Sequence, residues 1–265
     1  MNSERKNNRA LIIGATLIAM VLAYTLFKDD FKKTPQSGTA TKETNSYPKI
    51  TAQELKNKLS NNKNNVQIVD TRSLDDYTAE HIIGSISAAS QESLNAVSPE
   101  KTTAIIGYSS EDANISGILN FLKSKKVNDL FILTGGFSAW KSIGGSTISA
   151  GDPNSFTDQS KVAYITPEDL KKILDDKTYS IYVLDIRSKQ LFDAGHILGA
   201  GNIFIEDLEK SKDNLPLGKE LIVYGDTEIQ GFQAGVKLYD LNFFAARVLS
   251  GGLTSWKEKE FEIVK

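Results

Sequence analysis

Most of this chain is written twice, and that duplication limits its fold more than any other feature. Ile50-Thr51-Ala52-Gln53-Glu54-Leu55-Lys56 aligns with Ile165-Thr166-Pro167-Glu168-Asp169-Leu170-Lys171 at an offset of 115 residues. In both copies a Thr stands three residues before an acid, the start signature of a helix. The second adds Pro167 at the first helical position, where a missing N–H costs nothing. Val66–Asp70 and Ile181–Asp185 follow, short β-branched runs that read as buried strands. Asp70-Thr71-Arg72-Ser73 then matches Asp185-Ile186-Arg187-Ser188, and His81-Ile82-Ile83-Gly84 matches His196-Ile197-Leu198-Gly199. Thr103–Tyr108 and Glu220–Tyr224 are apolar strand candidates, each before a polar loop and a helical stretch. Leu130–Leu133 and Arg247–Leu249 lead into GGFSAW (135–140) and GGLTSW (251–256), now at an offset of 116, so one inserted residue separates the copies.

Strands alternating with helices in two units of this size predict an α/β fold, with two tandem domains built on mainly parallel sheets flanked by helices. The expected boundaries are domain 1 at 48–145, a Gly/Ser/Asp-rich linker at 146–161 and domain 2 at 162–265. Ahead of them stand a short tail (1–9), an apolar segment (10–27) and a polar stretch (28–47) that reads as a flexible stalk.

The ordered set of landmarks resembles the rhodanese superfamily in its two-domain arrangement. The carrying residues are DTRSLDDYTAEHIIG with GGFSAW, and DIRSKQLFDAGHILG with GGLTSW; Glu80 departs from the glycine usual before the His, which the second copy has as Gly195. The resemblance covers about residues 48–265. It implies a five-stranded parallel sheet per domain. It also implies a loop after the fourth strand that starts with Cys, ends with Arg five residues later, and wraps an anion or persulfide with backbone N–H groups. Counting back from the double glycines places that loop at Ser109-Ser110-Glu111-Asp112-Ala113-Asn114 and at Gly225-Asp226-Thr227-Glu228-Ile229-Gln230. The nucleophile position then holds Ser109 and Gly225, and the arginine position holds Asn114 and Gln230.

The chain has no Cys anywhere. That excludes disulfides, thiolate metal sites and any persulfide on a cysteine, the intermediate of sulfur transfer. Ser109 cannot carry that intermediate, and its hydroxyl would need an adjacent base. The two imidazoles, His81 and His196, sit in the first half of each domain, where the resemblance implies a structural hydrogen-bonding role. Glu111, Asp112, Asp226 and Glu228 put carboxylates where the family binds anions. They could be read as oxygen ligands for Ca²⁺, but two acids per loop are few and solvated charges are the plainer account. Asp70 with Arg72, and Asp185 with Arg187, read as structural pairs tying a strand end to neighbouring backbone, as the resemblance implies. Gly84 and Gly199 close the His-Ile-x-Gly motif. The double glycines read as positions of positive φ, and Trp140 and Trp256 as core anchors.

Ala10–Phe27 is eighteen residues without a charge, about 27 Å as a helix at 1.5 Å per residue, close to a hydrocarbon core of about 30 Å. It reads as an uncleaved anchor rather than a cleaved signal peptide, whose apolar region is usually shorter. The flanking Lys and Arg nearly tie; the basic tail is expected inside, with the tandem domains extracytoplasmic. A net charge of −2 gives no general attraction to nucleic acid. The sequence therefore predicts a membrane-anchored tandem rhodanese-like protein with no metal or cofactor, without catalysis, binding a protein or peptide at the membrane. The alternative is an enzyme, either with non-cysteine chemistry at Ser109 or with the thiosulfate sulfurtransferase activity of the family name.

Overall fold

Alternating β-branched residues, apolar on both faces, build the centre of each domain in the computed structural model, which describes residues 47–109, 113–127, 129–176 and 180–265. The first domain comprises β1 (Lys49–Ile50), α1 (Ala52–Asn62), β2 (Val66–Asp70), α2 (Leu74–Ala79), β3 (Glu80–Ile82), β4 (Ser85–Ser87), α3 (Gln91–Leu94), β5 (Thr102–Ile106), α4 (Ala113–Ser124), β6 (Leu130–Leu133), α5 (Gly136–Ser142) and β7 (Thr147–Ser149). After a short helix α6 (Phe156–Gln159), the second comprises β8 (Ala163–Ile165), α7 (Pro167–Asp175), β9 (Ile181–Asp185), α8 (Lys189–Ala194), β10 (His196–Ile197), β11 (Gly201–Asn202), β12 (Glu220–Tyr224), α9 (Glu228–Asp240), β13 (Arg247–Leu249), α10 (Gly252–Glu258) and β14 (Ile263–Val264).

The two five-stranded sheets have one topology. Their orders are β1-β6-β5-β2-β4 and β8-β13-β12-β9-β11, parallel throughout. Each domain closes with a small antiparallel pair, β3 with β7 and β10 with β14. Successive strand residues face opposite layers. Ile68, Ala104 and Ile106 pack with Phe137 and Trp140 on one side of the first sheet, whereas Val69 and Ile105 pack with Leu119 and Leu122 of α4 on the other. The second sheet repeats this, with Val183 and Ile222 against Trp256, and Leu184 and Val223 against Ala234 and Leu238 of α9. Both tryptophans are buried. The predicted helix starts form: Glu54 N–H donates to Thr51 Oγ1 (3.2 Å), and Asp169 N–H to Thr166 Oγ1 (3.1 Å).

Residues 147–149, inside the stretch read as a linker, form β7. Its Ile148 belongs to the core of the second domain, and its Ser149 N–H donates to Asp240 Oδ2 at 2.9 Å. Lys161 bridges Asp158 and Asp240, at 2.9 Å each. Burial pushes the Asp240 carboxyl above its ordinary pKa, against the pull of Lys161. A second polar tie joins the domains at Glu209, which accepts from Gly84 N–H (2.6 Å) and lies 3.0 Å from His81 Nε2. His81 Nδ1 faces Tyr77 O at 2.7 Å. A carbonyl and a carboxylate only accept, so each ring nitrogen faces an acceptor. Burial works to raise the pKa of Glu209, but the hydrogen bonds from His81 and Gly84 outweigh it and hold it below the ordinary carboxylate value.

Among the described residues no helix is long and apolar enough to cross a membrane. The expected anchor at 10–27 and stalk lie outside the described residues, except for Tyr47.

Because the folded pKa of Glu209 is depressed, its contribution to stability is full above about pH 4.5 and is lost as pH falls through the lower folded value. Glu209→Ala should cost about 1–3 kcal/mol near neutral pH, chiefly through the buried His81 donor it strands, since the exposed Gly84 N–H can turn to water. The loss should shrink on acidification. Chemical denaturation at a series of pH values reads both effects.

Candidate functional site

The candidate site in each domain is the turn that leaves the central strand and enters a helix at the C-terminal edge of the sheet. In domain 2 it runs from Gly225 to the start of α9. Its outer side is fixed by the start of α10, where Gly225 O accepts from Leu253 N–H (2.9 Å) and Asp226 O from Thr254 N–H (3.1 Å). This close approach explains the double glycine: a Cβ on Gly252 would lie 2.8 Å from Gly225 O, and Gly251 and Gly252 hold φ at +71° and +63°.

The inner side of that turn is filled by Gln230. Its Oε1 accepts from Asp226 N–H (2.8 Å) and from Thr227 N–H (3.2 Å), the reach-back arm of a capping box. A Cβ on Gly225 would fall 2.6 Å from Gln230 Cβ and 2.9 Å from Gln230 Oε1. An amide oxygen therefore holds two loop N–H groups that point inward, and the same side chain occupies the space beside Gly225. Asp226 turns the other way, accepting from Arg187 Nη1 at 3.0 Å. Glu228 accepts from Gly251 N–H at 2.9 Å, so it too is tied to the scaffold.

Beneath the loop, Asp185 is fully buried and grips Arg187 through Nε (3.0 and 3.1 Å) and Nη2 (2.6 Å), while Nη2 also donates to Gly195 O (2.8 Å). Burial opposes the Arg187 charge, but Asp185 and Asp226 together outweigh it and hold its pKa above the ordinary value. Domain 1 repeats the grip: Arg72 binds Asp70 and donates to Glu80 O at 2.8 Å, so the departure from glycine at Glu80 leaves this carbonyl contact in place. The Arg72 guanidinium also lies 3.7 Å over the Phe137 ring. Each His stacks on the aromatic four residues before it, Tyr77 or Phe192, and places Nδ1 against that residue's carbonyl. Gly84 and Gly199 both hold φ near +80°.

Strand register revises one equivalence. Asp70 pairs with Ile106 and Asp185 with Tyr224, so Gly107 takes the place of Gly225, and Tyr108 that of Asp226. The hydrogen bonds agree, since Gly107 O accepts from Phe137 N–H (3.0 Å) as Gly225 O accepts from Leu253 N–H. Ser109 corresponds instead to Thr227, two residues farther on. Counting back from the double glycines assumed equal lengths, but domain 1 has two more residues between its central strand and the next. The Tyr108 hydroxyl meets Asp76 Oδ2 and accepts from Ser73 N–H (3.1 Å) at the start of α2. Hydrogen bonds from Ser73 and Tyr108 hold the Asp76 carboxyl below its ordinary pKa. Ser110, Glu111, Asp112 and the side chain of Asn114 lie outside the described residues.

Chemically, domain 2 offers a closed turn. Its glycine carries no nucleophile, its inward N–H groups are occupied, and the Arg187 beneath it is paired with two carboxylates. In domain 1, both nitrogens of His81 are committed to Tyr77 and Glu209, so it does not serve a serine as base. Among the described residues no group of three or more His, Cys, Asp or Glu side chains is placed to hold a metal ion. The inward turn of Gln230 escaped the sequence reading, although Thr227-x-x-Gln230 is a capping-box pattern that signals it. The Glu209 tie had no local signal.

The sequence profile of the rhodanese-like domain matches residues 51–143 and 166–259. The uncharacterized protein YqhL of Bacillus subtilis is 24% identical over 102 residues, which span 37% of this chain and 81% of that protein. The rhodanese-like domain of an Anabaena protein is 29% identical, over 38% of this chain and 77% of its own, with a TM-score of 0.36. A thiosulfate sulfurtransferase of Pseudomonas aeruginosa overlaps 82% of this chain and 43% of its own, at 14% identity and a TM-score of 0.44.

The contact between Gly225 and Gln230 predicts a coupled pair. Gly225→Ala should destabilise by about 1–3 kcal/mol through overpacking. Combining it with Gln230→Gly, which removes the clashing side chain, should cost less than the sum of the two single changes. A double-mutant cycle in urea measures the difference.

Proposed function

Because the chain belongs to the rhodanese-like domain family through both of its halves, we propose that it keeps the family scaffold and has given up sulfur transfer. In this reading it is a tandem rhodanese-like protein anchored in a membrane by residues 10–27, binding a protein or peptide with its extracytoplasmic domains. The observation that carries the reading is the Gln230 amide, which takes the loop N–H groups and the space that an anion and a thiolate would share. The absence of Cys supports it independently, because a persulfide needs a sulfur nucleophile on the enzyme. The neutralisation of Arg187 by Asp185 and Asp226 supports it a third time, by removing positive potential from the mouth of the loop.

The membrane placement rests on the uncharged run from Ala10 to Phe27. Binding rests on what remains after the chemistry is gone: two sheet scaffolds that present loops at one edge. Among the described hydrogen bonds, His81 is engaged with Tyr77 and Glu209 and His196 with Phe192, and neither is paired with Ser109.

The direct test is a thiosulfate:cyanide assay on the full chain. Thiocyanate production should equal that of a heat-killed control, and Ser109→Ala should change nothing. Production above the control would refute the proposal, and its loss in the variant would place the chemistry at Ser109. Crosslinking in intact membranes, followed by identification of the captured polypeptide, tests the binding half; recovery of the uncrosslinked chain alone would count against it.

A further inference from the structure

A groove of about 270 Å³ lies between the two domains, away from both loops. Its floor is apolar, formed by Trp140, Ile82 and Leu59 of domain 1 and by Leu241 of domain 2. Trp140 and Ile82 are almost fully buried, and the indole is held in place by Nε1–H donating to Ser146 O at 3.2 Å. Two lysines line it, one from each domain: Lys56 and Lys212. Among the described residues no carboxylate lines it.

The two lysines differ in their commitments. Lys56 Nζ donates to Ile143 O (3.3 Å) and Gly144 O (3.1 Å), carbonyls just beyond α5, which fix its ammonium and leave one N–H uncommitted. Lys212 is half-buried and, among the described residues, its ammonium has no hydrogen-bond or ion-pair partner. Neither charge is cancelled by an acid, so the groove combines an apolar floor with uncompensated positive charge. An anion with an apolar body satisfies both at once.

We infer that this interdomain groove is a binding site for a small monocarboxylate with an apolar body. At protein-like packing the space takes about ten non-hydrogen atoms, the size of an arylalkanoate rather than of a folded segment. The carboxylate meets Lys212 and the free N–H of Lys56, while the apolar body lies on Trp140, Ile82, Leu59 and Leu241. A ligand so placed touches both domains and stiffens their junction. The inference is independent of whether the loops catalyse anything.

The test is calorimetric titration of the full chain with 3-phenylpropionate, against 3-phenylpropanol and 3-phenylpropylamine as neutral and cationic counterparts. Saturable one-to-one binding is expected for the acid, weaker binding for the alcohol, and none for the amine. Lys212→Glu should weaken the acid by at least about tenfold, whereas Lys212→Arg should retain it. Because the Lys212 side chain makes no hydrogen bond or ion pair among the described residues, both variants should melt with the parent. Absence of saturable binding, equal affinity for acid and alcohol, or indifference to Lys212→Glu would each overturn the inference.

Discussion

Backbone N–H groups at the entrance to a helix must find an acceptor, and in domain 2 the acceptor is the protein's own Gln230. With the amide oxygen inside the turn, Gly225 must stay a glycine, Asp226 is free to face outward, and Arg187 can take it as a second carboxylate partner. The N–H groups of that turn are thereby satisfied within the scaffold.

The two copies have solved their buried charges alike and their loops differently. Asp70 and Asp185 are both fully buried, and each is matched by the arginine two residues on, which also reaches a carbonyl eight residues further along. Leaving either partner alone in that place would cost about 3–5 kcal/mol, so both members persist whatever the loop above them does. Above the pair, domain 2 adds Asp226, while domain 1 has Tyr108 at the same register and sends its hydroxyl to Asp76 instead. The interface between the domains draws on the same economy. His81 keeps its place against Tyr77 as His196 does against Phe192, and its outer nitrogen supplies the contact with Glu209 that His196 has no counterpart for among the described hydrogen bonds.

The architecture was legible because the signals that set it are local and doubled. Thr51 and Thr166 cap their helices, the β-branched runs ending at Asp70 and Asp185 become central strands, and the glycine pairs before Trp140 and Trp256 hold positive φ. What escaped were facts decided across space. The equivalence of Gly107 with Gly225 depends on strand register, which counting along the chain cannot see when one copy carries two extra residues between its central strand and the next. Glu209 lies 128 residues from its partner His81, with nothing around it to mark it out. Gln230 was read by its place in a family loop, as a lost arginine, when its hydrogen-bonding capacity was the informative property.

The sharpest test of the filled turn is an NMR titration of the protein with thiosulfate, following the amide resonances of Asp226 and Thr227. If Gln230 occupies those donors, both resonances stay in place up to saturating anion and their hydrogens exchange slowly. A saturable shift of either resonance, with faster exchange before the anion is added, would contradict the account.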